Sequence, residues 1–387
     1  MKIGIDIRNI GKKRTGDEVV FFNLVKNLAK ISAKGGPASG WDNTYLLFTD
    51  ILDKDIIASI RFDLGIKDND KFKIISLKSA GKFIWNAWIL PRYLKKNPVD
   101  IYHTQYILPF FVSKKIKLVT TIHDVSFNAH PEMIGKIDLL FLKLLIPKSL
   151  KKASQIITVS EFTKNEIIKF YNINSEKIEV AHNAVGGNFL QDVSEEKLQS
   201  VKNKYNLPEK FILYIGTMQP RKNLPTLIEA YAKIKNTNPE IKLVLCGNIN
   251  SHNFDKGINQ KIEEHLIQED VIFPGFIDEE DKPAIFKLSQ IFCYPSLYEG
   301  FGIPLLEAFA SNIPVVASDI PAHREVGEKS ISYFEPKNVA NCSQKIKILI
   351  ERPDLRDNLT QKGISQLANF SWRKSTQKIL ETYEKIV

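Results

Sequence analysis

Two glutamates eight positions apart, Glu299 and Glu307, sit in the segment YPSLYEGFGIPLLEAFASNIPVVAS, Tyr294 to Ser318. An apolar strand-like run ends at Pro295, a glycine-containing loop follows, and Pro304 suits the first turn of a helix. Glu299 therefore belongs to the loop and Glu307 to the helix. The backbone N–H groups of Phe301, Gly302 and Ile303 fall beside that helix's N-terminus, a favourable place for an anionic or hydroxyl-rich ligand. A bare pair of glutamates at this spacing would be an ordinary surface pair; the strand, loop and helix around it set this one apart. A second segment, YIGTMQPRKNLPTLIEAYAKI, stops a strand at Gly216 and starts a helix around Asn223–Leu224, so Arg221 and Lys222 stand at the turn between them. Loop cations are usually solvated, and the loss of Lys222 is expected to cost the fold little. At this position they can also stabilise a departing diphosphate without a metal. A third segment, TTIHDVSFNAHPE, places His123 and Asp124 after the strand KLVTTI. A lone histidine is more often structural, but the carboxyl end of a parallel strand is where ligands gather. His103, in DIYHTQY, is a weaker candidate, read as lining an acceptor, with a core position the commoner fate. A fourth segment, RNIGKKRTGDEVVFF, puts Gly16 in the loop before the first helix. Asp17 and Glu18 after it favour a helix start but would repel a phosphate.

These candidates need elements to hold them. In the first half, strand-like runs KIGIDI, TYLLFT, KFKIIS, DIYH, KLVTTIH, QIITVS and KIEVA alternate with amphipathic stretches. Ser160, followed by EFTKNEIIKFY, reads as a helix N-cap. The second half restarts the pattern with FILYIG, KLVLCG, VIFPG, IFCYPS, PVVAS and SYFEP. Alternation of this kind implies parallel sheets built from βαβ units. The expected architecture is α/β, with two doubly wound, Rossmann-like domains facing each other across a cleft. The paired glycines of NAVGGN, Asn183–Asn188, mark the boundary. Residues 1–187 are expected to form the first domain and 188–369 the second, while 370–387 are expected to form a helix that packs back on the first. Ligands in such sheets bind beyond the carboxyl ends of the strands.

The 387 residues are too many for one ordinary core and suit two domains. Three cysteines without metal-like spacing argue for a reducing compartment, with Cys246 and Cys293 in apolar core contexts. MKIGIDIRNIG turns polar too soon for a signal peptide, and no apolar run approaches the roughly 18 residues that span a bilayer. A cytoplasmic location is expected. No cofactor is expected, and no metal: Asp68-Asn69-Asp70 reads as a polar turn between Lys67 and Lys71, and no His/Cys/carboxylate cluster is spaced for a metal ion. No G-x-G-x-x-G follows a strand, which argues against a nicotinamide oxidoreductase. Net charge is +11 over residues 1–187 and −1 over the rest. The excess reads either as a solubilising surface or as a peripheral contact with an anionic membrane face, to which Lys143, Lys148, Lys151 and Lys152 after an apolar run would contribute. No nucleic-acid recognition motif accompanies it. Trp85 and Trp88 lie at helical spacing; a packed aromatic stripe is the default reading, and an interfacial membrane contact the alternative.

The E-x7-E pattern in EGFGIPLLEA resembles that of glycosyltransferase family 4, retaining enzymes of the GT-B fold. RKN at 221–223, HD at 123–124 and the loop glycine Gly16 have counterparts there, and the resemblance extends over essentially the whole chain. It implies that residues 1–187 form the acceptor-side domain and 188–369 the donor-binding domain, that Glu299 contacts the donor sugar and Glu307 the ribose, and that Arg221 with Lys222 contacts the diphosphate. It further implies that Gly16 and the Phe301–Ile303 amides approach the donor, and that His123 lies close to the sugar, with Asp124 orienting it or assisting the acceptor. Many members carry an arginine directly after the glycine at 216, where this chain has Thr217, which leaves Arg221 and Lys222 as the main cations. The resemblance is nearest to bacterial mannosyltransferases. It implies a nucleoside-diphosphate sugar donor, GDP-mannose favoured, a saccharide or lipid-linked acceptor, and a role in surface polysaccharide assembly. Two alternatives are a GT-B sugar-nucleotide epimerase and a non-enzymatic membrane or polyanion binder. The constellation of Arg221, Lys222, Glu299 and Glu307 disfavours the first, and its place in the near-neutral half disfavours the second.

Overall fold

Every strand-like run named above is a strand in the computed structural model, which describes residues 1–12, 16–33, 43–250 and 253–387. Among these residues the first sheet takes β1 (Lys2–Asp6), β2 (Thr44–Thr49), β3 (Phe72–Ser76), β4 (Ile101–Gln105), β5 (Lys117–Ile122), β6 (Gln155–Thr158) and β7 (Ile178–Val180), in the order β3-β2-β1-β4-β5-β6-β7. The second takes β8 (Phe211–Ile215), β9 (Lys242–Cys246), β10 (Val271–Gly275), β11 (Ile291–Tyr294), β12 (Val315–Ser318) and β13 (Ile331–Phe334), in the order β10-β9-β8-β11-β12-β13. All neighbouring strands run parallel. Helices cover both faces of such sheets, so their strands are apolar throughout; β8 is buried at every position.

The strand orders decide where ligands can enter. In the first sheet the order reverses between β1 and β4, and in the second between β8 and β11. Connections leave in opposite directions on the two sides of such a point, opening a crevice beyond the carboxyl ends of the strands. Arg221 and Lys222 follow β8 and Glu299 follows β11, so the second sheet's switch point is where these charges converge.

The chain divides into two compact units. One comprises Met1–Ala129, Gly135–Asn183 and Ser371–Val387; the other comprises His130–Ile134 and Ala184–Phe370. In the first unit the helix Trp372–Ile386 buries Trp372, Ile379, Leu380 and Tyr383. The Tyr383 hydroxyl meets His103 Nδ1 at 2.5 Å, and His103 Nε2 meets Thr121 Oγ1 at 2.8 Å. His103 is thus sealed in the core and cannot line an acceptor. Burial, reinforced by the charge of His123, pushes its pKa down to about 3. Ser160 caps the helix Glu161–Tyr171, its hydroxyl accepting from Thr163 N at 2.9 Å. Cys246 and Cys293 are core residues. Asp68-Asn69-Asp70 is a turn before β3, with Asn69 Oδ1 accepting from Lys71 N at 3.1 Å.

The tryptophan pair separates. Trp85 is fully buried, with the Arg8 guanidinium 4.4 Å above its ring, whereas Trp88 is 63% exposed. Residues Trp85–Ile89 form a π-helical turn. Its wider winding splays positions three apart farther than an α-helix does, and the packed stripe expected for both tryptophans holds only for Trp85.

His103 gives the fold a pH dependence. Its folded pKa lies below the unfolded value of 6.5, so between these values the unfolded chain binds more protons, and stability falls as pH drops. The expected loss is up to about 1.4 kcal/mol per pH unit below pH 6.5. Urea denaturation at pH 7 and pH 5 should show this slope, and the His103→Gln variant should lack its share of it.

Candidate active site

Beyond β8 the chain takes a single 3-10 turn, Pro220–Lys222, and then Asn223 in the left-handed region (φ +57°) before the helix Leu224–Lys235. Asparagine tolerates that conformation because its short side chain can bond locally. Asn223 Oδ1 accepts from Thr226 Oγ1 at 2.8 Å, and its amide donates to Pro295 O at 3.1 Å. Arg221 O accepts from Leu297 N at 2.8 Å. The turn after β8 is therefore stitched to the loop after β11, and the cations meet Glu299 within the second unit.

Lys222 Nζ donates to Glu299 Oε1 and, at 3.1 Å, to the Tyr294 hydroxyl. Arg221 donates to Glu299 Oε2 and to Tyr298 O, both at 3.2 Å, and Ser296 Oγ donates to Glu299 Oε1 at 2.6 Å. Glu299 and Lys222 are buried. Burial alone would push the Glu299 pKa up, but the Lys222 and Arg221 charges outweigh it and hold the carboxyl well below the usual range. Burial and the adjacent Glu299 charge push the Tyr294 phenol well up, so it stays neutral. Two cations and one carboxylate leave one net positive charge at the end of the sheet. Lys222, whose loss is expected from its loop position to cost the fold little, is instead a buried member of an ion-pair cluster, so its removal is not cheap.

Gly302 opens the helix Ile303–Ala310 at φ +109°, where a side chain would be strained and a Cβ would press on Leu305 at 3.2 Å. Phe301 anchors the loop by an edge-on contact with Phe370, ring centres 5.5 Å apart. One turn into the helix, Glu307 is buried. Burial pushes its pKa up, with the Lys282 charge opposing and Glu279 adding to the rise. Among the described residues, none donates a hydrogen bond to its carboxylate. Glu299 accepts from three side-chain donors, whereas Glu307 accepts from none among the described residues.

In the first unit, His123 lies at the end of β5 and is mostly buried. Its Nε2 meets Gln105 Oε1, at the end of β4, at 2.7 Å. A carboxamide oxygen only accepts, so Nε2 carries the proton. Asp17 Oδ1 is 3.8 Å from the same nitrogen. Asp124 accepts from Ser126 N at 2.9 Å, a turn contact, and among the described residues it forms no hydrogen bond with the His123 ring. Gly16 is exposed at the start of the helix Gly16–Ala33, with nothing within 4 Å of a Cβ added there. Glu18, just after it, turns inward and accepts from Gly11 N at 3.1 Å.

Several contributors were not foreseen. Asp17 and Gln105 bracket His123. Ser296 and Tyr294 complete the shell of Glu299 and Lys222. His323 is buried behind Gly302, its Cδ2 3.6 Å from where a Cβ on that glycine would lie. Its Nδ1 donates to Ser318 O at 2.9 Å, and burial pushes its pKa down to about 4. A run of charged or aromatic residues near the motifs flagged the loops, but pairing across two loops has no signature in spacing.

Two family descriptions match this chain: "Glycosyltransferase Family 4" over residues 62–186 and "Glycosyl transferases group 1" over residues 195–366. The O-antigen chain mannosyltransferase B of Escherichia coli is 31% identical over 301 residues, 77% of this chain and 76% of that protein. This chain belongs to glycosyltransferase family 4. Among solved structures, a glycosyltransferase from Rickettsia africae superposes with a TM-score of 0.73 at 22% identity, covering 100% of this chain and 98% of that one. HepE of Anabaena, in complex with UDP and glucose, gives 0.73 at 18% identity, covering 100% of both chains. The two parallel-sheet domains are those of the GT-B fold, and the enzyme is a glycosyltransferase.

For this family member the buried pair makes Lys222 a stability determinant. Glu299→Ala should leave Lys222 buried beside a lost charge and cost about 3–5 kcal/mol, as broken buried pairs do. The Lys222→Met, Glu299→Gln double variant should lose less than the sum of the two single losses. Denaturant unfolding of the wild type, Lys222→Met, Glu299→Gln and the double variant checks the coupling, and additive losses would mean the two side chains are not coupled.

Proposed function

We propose that this glycosyltransferase moves a hexosyl group, mannosyl by preference, from a nucleoside-diphosphate sugar to a saccharide or lipid-linked acceptor, with retention of configuration and without a metal. GDP-mannose is the favoured donor and surface polysaccharide assembly the favoured setting; the similarity to a mannosyltransferase of O-antigen chains supports both. The observation that carries the reading is the Arg221–Lys222–Glu299 cluster at the switch point of the second sheet. Its net positive charge is fixed in a buried site, where such charge stabilises a leaving diphosphate most strongly.

The roles follow from which groups have bonding capacity to spare. Glu307, buried and without a donor among the described residues, is suited to the two ribose hydroxyls. An ionised carboxylate offers about four acceptor positions, and described residues fill three on Glu299, leaving Oε2 able to take a sugar hydroxyl. The Phe301–Ile303 loop and Gly16 are assigned to the donor. His123 is assigned to the sugar, held in one tautomer by Gln105. Asp124 is assigned to the acceptor side. As the bond from the anomeric carbon to the diphosphate oxygen breaks, the acceptor hydroxyl oxygen bonds to that carbon on the same face, and its proton passes to the departing phosphate. The sequence offers no evident nucleophile for a covalent intermediate. Among the described residues no three His, Cys, Asp or Glu side chains gather to hold a metal ion. No helix among them is long and apolar enough to cross a membrane. A cytoplasmic enzyme resting peripherally on an anionic membrane face fits the basic first unit.

Glu307→Ala should chiefly raise KM for the donor, because the ribose is unchanged in the transition state, whereas Glu299→Ala should chiefly lower kcat, on the order of 100-fold or more. Steady-state kinetics of folded variants read the split, and equal defects of the same kind would remove the basis for separate roles.

Thermal melting with GDP, UDP, ADP and their sugars should show the largest rise for GDP and GDP-mannose. Transfer should persist in a chelator. Stabilisation by UDP compounds alone would replace the favoured donor, and activity restored only by Mg²⁺ or Mn²⁺ would end the metal-free reading.

A further inference from the structure

The helix Lys136–Lys152 exposes Ile137, Leu140, Phe141 and Leu144, each more than half accessible. Their spacing of three, four and seven residues places them in one stripe along the helix. A water-facing stripe of this kind is unfavourable unless something covers it. The opposite side carries Ile146, Ser149 and Leu150, which are buried in the first unit.

A second exposed apolar group lies earlier in sequence, between Phe83 and Phe111, yet the structure joins it to the same helix. Ser149 Oγ accepts from Leu108 N at 3.0 Å, and Lys152 Nζ donates to Pro109 O and Phe110 O, both at 2.7 Å. Phe110 N in turn donates to Asn86 O at 2.9 Å, and its ring lies 5.6 Å from that of Phe83. The loop, the π-helical turn and the short helix Lys82–Ile84 that leads into it, tied on in this way, expose Phe111, Trp88 and Phe83 respectively. The chain around them is strongly basic: from Lys71 to Ile122 there are ten lysines and arginines, and Asp100 is the only acid. Lys136, Lys143 and Lys148 are exposed on the helix itself.

We propose that this joined face inserts shallowly into an anionic lipid bilayer, with the stripe Ile137–Leu144 and Trp88 entering the acyl boundary and the surrounding lysines meeting headgroups. The proposal rests on the peripheral placement given above and assigns it to particular side chains. The chemistry selects the occupant. Aliphatic and aromatic side chains interleaved with exposed lysines match the layered polarity of a membrane interface, where apolar faces bury and long basic side chains reach back to phosphates. Nucleic acid would leave the aliphatic stripe uncovered. A second copy docked face to face would set two basic surfaces against each other.

The test uses the full chain with vesicles of phosphatidylcholine alone and with phosphatidylglycerol added, at low and high salt. Co-sedimentation should require the anionic lipid and weaken with salt. Brominated acyl chains should quench fluorescence in the wild type and not in Trp88→Phe. Leu140→Ser with Leu144→Ser should reduce binding about tenfold or more, since two buried side chains leave the apolar phase, while GDP or UDP stabilisation in the same samples stays unchanged. That nucleotide readout separates failure of docking from failure of the donor site. No binding to anionic vesicles at low salt would overturn the proposal. So would undiminished binding of the serine variant without quenching, which would mean a purely electrostatic contact. Self-association of the wild type, abolished by the same serines, would assign the face to a second copy instead.

Discussion

Burying the Glu299 carboxylate is strongly unfavourable unless opposite charge and hydrogen-bond donors are carried in with it. Much of the second unit's local structure can be understood as meeting that demand. Lys222, Arg221 and Ser296 supply three donors to it. The left-handed turn at Asn223 and its bond to Pro295 O bring the two loops close enough for them to do so. The same arrangement keeps two cations ordered at the end of the sheet, where a flexible lysine in water would be screened and mobile. Holding charge in place before the reaction begins is what gives electrostatic stabilisation its effect.

The strand order sets the location. A loop following one strand reaches only its neighbourhood, so the meeting of residues 221–222 with 296–299 depends on β8 and β11 being adjacent. In the first unit, β4 and β5 are likewise adjacent, and this sets Gln105 against His123. The two histidines at 103 and 123 show how sharply position along a strand decides role. His103 lies within β4, under the C-terminal helix, and is neutralised by burial. His123 lies just past β5, retains some exposure and keeps a carboxamide and a carboxylate beside its outer nitrogen. Similar local sequences lead to a core residue in one case and a candidate sugar contact in the other.

The two units also differ in how they treat charge. In the second, charges converge inward, two cations on one carboxylate in the Arg221–Lys222–Glu299 cluster. In the first, basic residues remain on the surface with an exposed apolar stripe between them, while Arg8 and Asp6, the inward-facing pair, neutralise each other. Arg8 forms a two-pronged ion pair with Asp6 and lies over Trp85. Burial would raise the Asp6 pKa, and the Arg8 charge overcomes it. One unit gathers its charges around a buried carboxylate, and the other presents a broad surface of mixed polarity.

The amino-acid sequence by itself determined the elements. Apolar runs of strand length alternating with helical periodicity specify parallel βαβ units because both faces of each strand must be buried, and all thirteen strands among the described residues could be placed from that pattern. It also determined the loop and helix assignments of Glu299 and Glu307, because Gly302 and Pro304 act locally on backbone angles. Tertiary structure alone decided burial and partnership. Lys222 is inside because two distant loops converge, His103 because a helix nearly 280 residues later covers it, and Trp88 is outside because a π-helical turn separates it from Trp85. Spacing along a chain fixes which way a residue points from its own element. What it meets there depends on segments far away in sequence, and no local pattern records them.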